Sequence, residues 1–304
     1  MSIENAHALL THAADTGCTF WDTSDAYLSN EDVLGEWFRT TGRRNEIFLA
    51  TKFGITTTPQ GRVMRGEPSY VKEACEKSLK RLGVDCIDLY YQHRVDTNTP
   101  IELTVGAMAE LVKEGKVKYL GLSECSEKTL RRAYKVHPIA AIQIEYSPFA
   151  LEAENNGVLA ACKELGVAVV AYSPLGRGFL TGAYSSVNDF PEDDYRRSSP
   201  RFIGDNFDKN LKLVNTLAAI AAIKGVTPGQ LTLAWLISQG AIPIPGTTSM
   251  ARLDENFKSL DVVLSPEDIS DIREAVMAAD VVGERYIPSF QAFCYADSPE
   301  LPSA

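Results

Sequence analysis

The sequence predicts an α/β protein, a (β/α)8 barrel of the TIM type that is incomplete at the amino terminus, with its first strand missing. Three observations carry this. Short, continuously apolar runs alternate strictly with helical stretches, the pattern expected of a parallel sheet covered by helices. A chain of 304 residues suits two ordinary domains or one large barrel, and no linker or low-complexity segment divides it. Seven strands can be counted, ending near Asp22, Lys52, Gln92, Leu122, Ile144, Ala171 and Ile244, and the chain opens inside a helix where a barrel would place its first strand. Residues 1–304 therefore read as a single barrel domain with a tail from about Gly283.

Taken in order, residues 3 to 16 read as a helix stopped by Gly17, followed by a strand from Cys18 to Asp22. A helix from about Glu31 to Thr40 carries Val33, Leu34, Trp37 and Phe38 at helical spacing, and a strand from Ile47 to Lys52 follows. Beyond a Gly- and Pro-punctuated loop, Ser69 caps a helix whose inward positions Val71, Ala74, Cys75, Ser78, Leu79 and Leu82 recur at helical intervals. Strand Cys86–Gln92, helix Ile101–Glu114, strand Val117–Leu122, helix Glu127–Val136, strand Ala140–Ile144, helix Gly157–Leu165 and strand Val167–Ala171 continue the alternation. From Ser173 to about Asn206 the pattern lapses into a polar segment in which Arg196, Arg197 and Arg201 read as a solvated cluster; a loop this long is functional or mobile. Helices over Lys209–Lys224 and Pro228–Gln239, the latter capped by Thr227, precede strand Ala241–Ile244. A helix through Arg252, Glu255 and Asn256 and one opening at Ser265 complete the domain. The tail is rich in aromatics: Tyr286, Phe290, Phe293 and Tyr295 either wall a pocket or cover the barrel.

Composition excludes several classes. A net charge of −10 with no basic stripe argues against a nucleic-acid surface. No apolar run approaches the roughly 18 residues of a membrane span, and the amino terminus lacks the basic and apolar blocks of a signal peptide, which leaves the cytoplasm as the default location. The six cysteines are scattered without a CxxC pair, so they read as reduced packing residues. Four histidines without metal-ligand spacing argue against a metal site.

The chemistry collects at strand ends. The run Phe20-Trp21-Asp22-Thr23-Ser24-Asp25-Ala26-Tyr27 ends a strand in a carboxylate and offers a phenol one loop later; the next two strands deliver Lys52 and His93. In neighbouring parallel strands these four side chains meet at the carboxyl edge of the sheet, where such folds keep their active sites. Each residue alone has a bland reading as a loop anchor, a solvated charge or a packed ring. Jointly, and in order, they read as a catalytic site. A free phenol has a pKa near 10, too high for efficient proton exchange at neutral pH, and an adjacent ammonium favours its ionised form.

The order Asp-x4-Tyr, then a strand-terminal Lys and a strand-terminal His, resembles the aldo-keto reductases. The likeness continues through Gly121-Leu122-Ser123, Gln143-Ile144-Glu145-Tyr146-Ser147, Ala171-Tyr172-Ser173-Pro174-Leu175-Gly176 and Ile244-Pro245-Gly246-Thr247, with Arg252, Glu255 and Asn256 behind. It is closest to the Pro-Gly-Thr subgroup, with the pyridoxal-reductase-like and auxin-induced-like members. The resemblance implies an NADP(H)-dependent oxidoreductase that reduces small aldehydes or ketones, with Tyr27 as acid, Lys52 as its tuning partner, Asp22 as anchor and His93 orienting the carbonyl. It implies that Tyr172 stacks on the nicotinamide, that Ser123 and Gln143 bond the carboxamide, and that Ser173, Leu175 and Gly176 meet the pyrophosphate. Gly246, Thr247 and Arg252 would meet the adenosine phosphate, and Glu255 and Asn256 the adenine. Two departures stand out: the family's amino-terminal hairpin and first strand have no counterpart, and Leu28 follows Tyr27 where a glycine is common. The first of these keeps a second reading open, a nucleotide-binding regulatory or degenerate relative. It also admits a third, that the sequence is part of a longer protein.

Overall fold

A computed structural model describes residues 1–59 and 61–302. Seven parallel strands form one sheet in the order β1 (Phe20–Asp22), β2 (Phe48–Phe53), β5 (Ile87–Gln92), β6 (Val117–Ser123), β7 (Ala141–Glu145), β8 (Ala168–Tyr172) and β9 (Ala241–Pro243). Between β2 and β5 the chain makes an antiparallel hairpin of β3 (Ile55–Thr58) and β4 (Gly61–Met64). This hairpin replaces the Gly- and Pro-punctuated loop expected there. The hairpin is Thr-rich and its strands are short and largely exposed, so it carries no apolar alternation to betray it. The edge strands of the sheet, β1 and β9, do not pair with each other among the described residues.

Helices connect successive strands as the periodicity predicts, and their ends follow local chemistry. Gly42, Gly83, Gly166 and Gly225 close four of them in the left-handed conformation, and Thr227 with Gln230 forms a capping box at Pro228–Ser238. Where Ser69 was expected to cap, the helix begins earlier: Glu67 is the cap residue and Pro68 occupies the first turn, a position that does not need its missing N–H. The main hydrophobic core lies between the sheet and the helices and includes Trp21, Trp37, Phe38, Leu82, Tyr90 and Trp235.

A smaller cluster, Ala50, Leu89, Tyr91, Ala141 and Val170, fills the inner face of the sheet. Because alternate residues of a strand share a face, it projects the functional side chains. Two residues beyond Ala50 is Lys52, two beyond Tyr91 is His93, two beyond Ala141 is Gln143, and two beyond Val170 is Tyr172. In the strand beside Tyr91, Gly121 is required, since a Cβ there would lie 2.4 Å from the Tyr91 ring. The segment after β8 is not open loop: four 3-10 turns (Phe179–Thr181, Val187–Asp189, Tyr195–Ser198, Pro200–Phe202) pack it down. Arg201, expected to be solvated, is buried, donating to the carbonyl of Phe149 and at 3.0 Å to Glu152. No single helix among the described residues is long and apolar enough to cross a membrane.

Candidate active site

At the carboxyl end of the sheet the four residues converge. Lys52 is wholly buried, and its ammonium donates to Asp22 Oδ1 and, at 2.7 Å, to the carbonyl of Thr23. Asp22 accepts a second bond from Gln143 Nε2 at 2.8 Å. Burial works against a charge on Lys52, but Asp22 and Tyr27 outweigh it and hold the group above its usual pKa, so it is an ammonium. It lies 4.8 Å from the centre of the Tyr27 ring. Tyr27 itself is 45% exposed, and its ring meets His93 edge-on at 5.6 Å. Burial, helped by the charges of Lys52, Arg94 and Arg62, drives the His93 pKa well below the usual histidine value. The imidazole is neutral at physiological pH.

Ser24 is a member of this site to which the sequence reading gave no role. Its hydroxyl stands 3.0 Å from His93 Nδ1, accepts the N–H of Ala26 at 3.2 Å, and is itself fully buried. Its neighbour Asp25 lines the same space, and burial together with Glu31 raises its carboxyl to about 7. Leu28 adopts the left-handed backbone that a glycine would favour, at φ 49°, and projects into solvent with 90% of its surface exposed. The loop carrying Tyr27 thus keeps a glycine-like turn at a cost of about 1–2 kcal/mol.

These residues open into a cleft of about 2050 Å³ that runs between β1 and β9. Asp22, Tyr27, His93, Gln143, Tyr172, Ser173, Gly246, Thr247 and Asn256 line it, so residues from six separate segments meet there. Lys52 and Ser123 stand just behind its wall, bonded to Asp22 and Arg94. Leu175 and Gly176 lie in the turn after Ser173, where Gly176 N–H bonds the Ser173 carbonyl at 2.9 Å. Arg252 is exposed in the first turn of the helix Met250–Phe257, and Glu255 accepts from Thr227 Oγ1 at 2.7 Å. Of the tail aromatics, Tyr286, Phe290 and Phe293 wall the cleft, while Tyr295 joins the core beneath.

The tail is fastened by a buried ionic cluster that sequence reasoning missed. Arg285 donates two bonds of 2.9 Å to the two oxygens of Glu124, and neither side chain reaches solvent. Glu124 also accepts from the Tyr172 hydroxyl at 2.8 Å and from the Glu145 N–H at 3.0 Å. Beside them Arg177 pairs with Glu145 at 3.2 Å. Gly283 lets the tail pass tightly over the turn at Pro200, where any Cβ would meet the Pro200 carbonyl at 2.6 Å, and its φ of 89° favours glycine in any case. The available signal was position: Arg94 and Glu124 directly follow His93 and Ser123. Arg285 had none.

Comparisons with known proteins identify the family. A family model described as the aldo/keto reductase family matches residues 1–277. The aldo-keto reductase yakc [NADP(+)] of Schizosaccharomyces pombe is 53% identical over 309 aligned positions, covering 99% of this chain and 91% of that protein. Aldo-keto reductase str7 of Strobilurus tenacellus is 56% identical over 295 positions, covering 96% of this chain and 85% of that protein. Among solved structures, the glycerol dehydrogenase AKR11B4 of Gluconobacter oxydans superposes with a TM-score of 0.85 at 25% identity, over 92% of this chain and 88% of that one. The thermostable aldo-keto reductase Tm1743, solved with the inhibitor epalrestat, superposes with a TM-score of 0.73 at 28% identity, over 90% of this chain and 88% of that one. A seven-stranded parallel sheet matching the family's (β/α)8 barrel, together with a family match over most of its length, establishes that this chain belongs to the aldo/keto reductase family.

Proposed function

We propose that the chain is an NADPH-dependent oxidoreductase that reduces aldehyde or ketone carbonyls to alcohols, with Tyr27 as the general acid. The observation that carries this is the buried ammonium of Lys52, bonded to Asp22 and set against the Tyr27 ring, beside a neutral His93 at the floor of the cleft.

The residues fit a nicotinamide dinucleotide. Gln143 lines the inner end of the cleft and Ser123 stands just behind its wall, buried hydrogen-bonding groups suited to a carboxamide, and the Tyr172 ring that also lines it offers a stacking face. Ser173 and Gly176 both take positive φ, 47° and 56°, in a tight turn whose backbone amides suit a pyrophosphate. Gly246 has open space where a Cβ would stand, leaving room for close approach of a phosphate. Arg252 near a helix amino end, with no carboxylate among the described residues within ion-pair distance, suits the additional phosphate of NADP, with Thr247 beside it and Glu255 and Asn256 toward the adenine. When bound, the dinucleotide supplies the hydride.

The chain's own residues then manage the proton and the developing charge. Tyr27 donates its phenolic proton to the carbonyl oxygen. Lys52 remains charged throughout, stabilises the phenolate left behind, and is held by Asp22. His93, being neutral, carries one ring proton; we assign that proton to Nε2, where it can bond the carbonyl oxygen, with Nδ1 accepting from the Ser24 hydroxyl 3.0 Å away. The test is NADPH oxidation by the purified chain with an aldehyde, compared with NADH. Aldehyde-dependent oxidation of NADPH supports the reading; a folded chain that binds NADPH but consumes none with any aldehyde contradicts it.

A further inference from the structure

The buried cluster beneath the tail leaves one cation over. Glu124 is engaged by Arg285, Glu145 by Arg177 and Glu152 by Arg201. Arg94 is 4% exposed, lines the cleft, and has no carboxylate among the described residues within ion-pair distance. Its guanidinium spends its Nη atoms on neutral acceptors: the carbonyl of His93 at 2.8 Å, Ser123 Oγ at 3.2 Å and the Tyr172 hydroxyl at 3.3 Å. Its buried Nε has no partner. The Glu124 carboxylate acts on Arg94 through space but makes no direct pair with it, and a buried guanidinium with an unbonded Nε is costly unless an acceptor completes it.

A second cation faces the same place. Arg62, on the β3–β4 hairpin, lines the cleft and stands 5.6 Å from the centre of the Phe290 ring, while Arg94 stands 5.5 Å from it. Arg62 too has no carboxylate among the described residues within ion-pair distance. Both charges bear on His93. In a chain of net charge −10 this places two cations on the wall of the cleft.

The cofactor's own phosphates do not account for it. Those are assigned to Ser173–Gly176 and Gly246–Arg252, whereas Arg94 bonds Ser123 and Tyr172, the residues assigned to the uncharged nicotinamide end.

Resting on the reductase reading above, we propose that the substrates are carbonyl compounds carrying an anionic group, a carboxylate or a phosphate, which docks between Arg94 and Arg62 against Phe290 while the carbonyl meets Tyr27 and His93. The hairpin then acts as a specificity element.

The test compares 4-carboxybenzaldehyde with methyl 4-formylbenzoate, which differ in charge, at saturating NADPH. The wild-type kcat/KM favours the acid by about tenfold or more, as expected for a charge-assisted pair with a guanidinium. Arg62→Ala, on an exposed hairpin, lowers that ratio about threefold or more, and the effect weakens at high salt. Arg94→Gln brings the ratio close to one. A wild-type ratio near or below one, or a ratio that Arg62→Ala leaves unchanged, overturns the proposal. An Arg94 role confined to the transition state predicts equal losses on both aldehydes and overturns it as well. If neither of these two aldehydes is reduced, melting-temperature shifts decide this proposal, and the reductase reading stands or falls on the wider aldehyde screen. A larger shift with the acid than with the ester, abolished by Arg62→Ala, upholds anion recognition; equal shifts refute it.

Discussion

Replacing Arg285 with methionine should destabilise the protein by an amount that depends on pH. Glu124 is wholly buried, and burial alone would push its carboxyl up, yet the two bonds and the charge of Arg285 hold it at about 2. Without Arg285 the carboxylate keeps only the Tyr172 hydroxyl and the Glu145 N–H as hydrogen-bond donors. Removing one partner of a buried pair costs about 3–5 kcal/mol. An unfolding entropy of about 2.1 cal/mol/K per residue makes this a fall in melting temperature of roughly 5–8 °C at pH 7 for a chain of 304 residues. The sign with pH follows from linkage. The depressed Glu124 pKa of the wild type contributes stability above the usual 4.5, and this is lost as pH falls toward about 2. In the variant, the unpaired carboxyl is free to protonate in the folded state, so the gap between the two proteins narrows from pH 7 to pH 5. Adding Glu124→Gln to Arg285→Met removes the stranded charge and recovers several degrees. Melting followed by circular dichroism across this range decides the matter. A loss below about 2 °C, or a gap indifferent to pH and to the second substitution, would refute the reasoning, since the cost comes from a buried carboxylate stripped of its bonded cation.

Two further outcomes follow from the site. Ser24→Ala removes the hydroxyl that stands 3.0 Å from His93 Nδ1; losing one hydrogen bond worth about 1 kcal/mol lowers kcat/KM for carbonyl reduction about fivefold, with NADPH affinity unchanged in a titration of protein fluorescence. Asp25, raised from 3.8 to about 7, gives stability that is complete below its unfolded pKa and lost as pH rises through 7. Asp25→Asn should therefore melt higher than the wild type at pH 8, by an amount equivalent to at most about 4 kcal/mol, and the difference should close toward pH 4.

Much of the scaffold was legible because parallel strands covered by helices are apolar on both faces and helices end at glycines. Phe20–Asp22, Phe48–Phe53 and Ile87–Gln92 lie within two residues of their expected bounds, and their ends deliver Asp22, Lys52 and His93 to one place. What the chain hides is whatever depends on distant partners. Arg201 sits in a polar segment and reads as solvated, yet Glu152 and Phe149, about fifty positions away, bury it. Arg285 and Glu124 are 161 residues apart, and nothing local marks either as half of a buried pair. Ser24 and Arg94 were visible as neighbours of functional residues, but only the fold shows that one faces His93 Nδ1 and the other lies between Ser123 and Tyr172.

The proposed mechanism turns on Tyr27 as the proton donor. Tyr27→Phe removes one hydroxyl from a residue that is 45% exposed, so folding should survive. NADPH titration and aldehyde turnover measured on the same preparation give the answer. Unchanged NADPH affinity with turnover reduced at least about a hundredfold, the usual scale of a lost general acid, is the expected result. Turnover equal to the wild type, with cofactor binding intact, would contradict it.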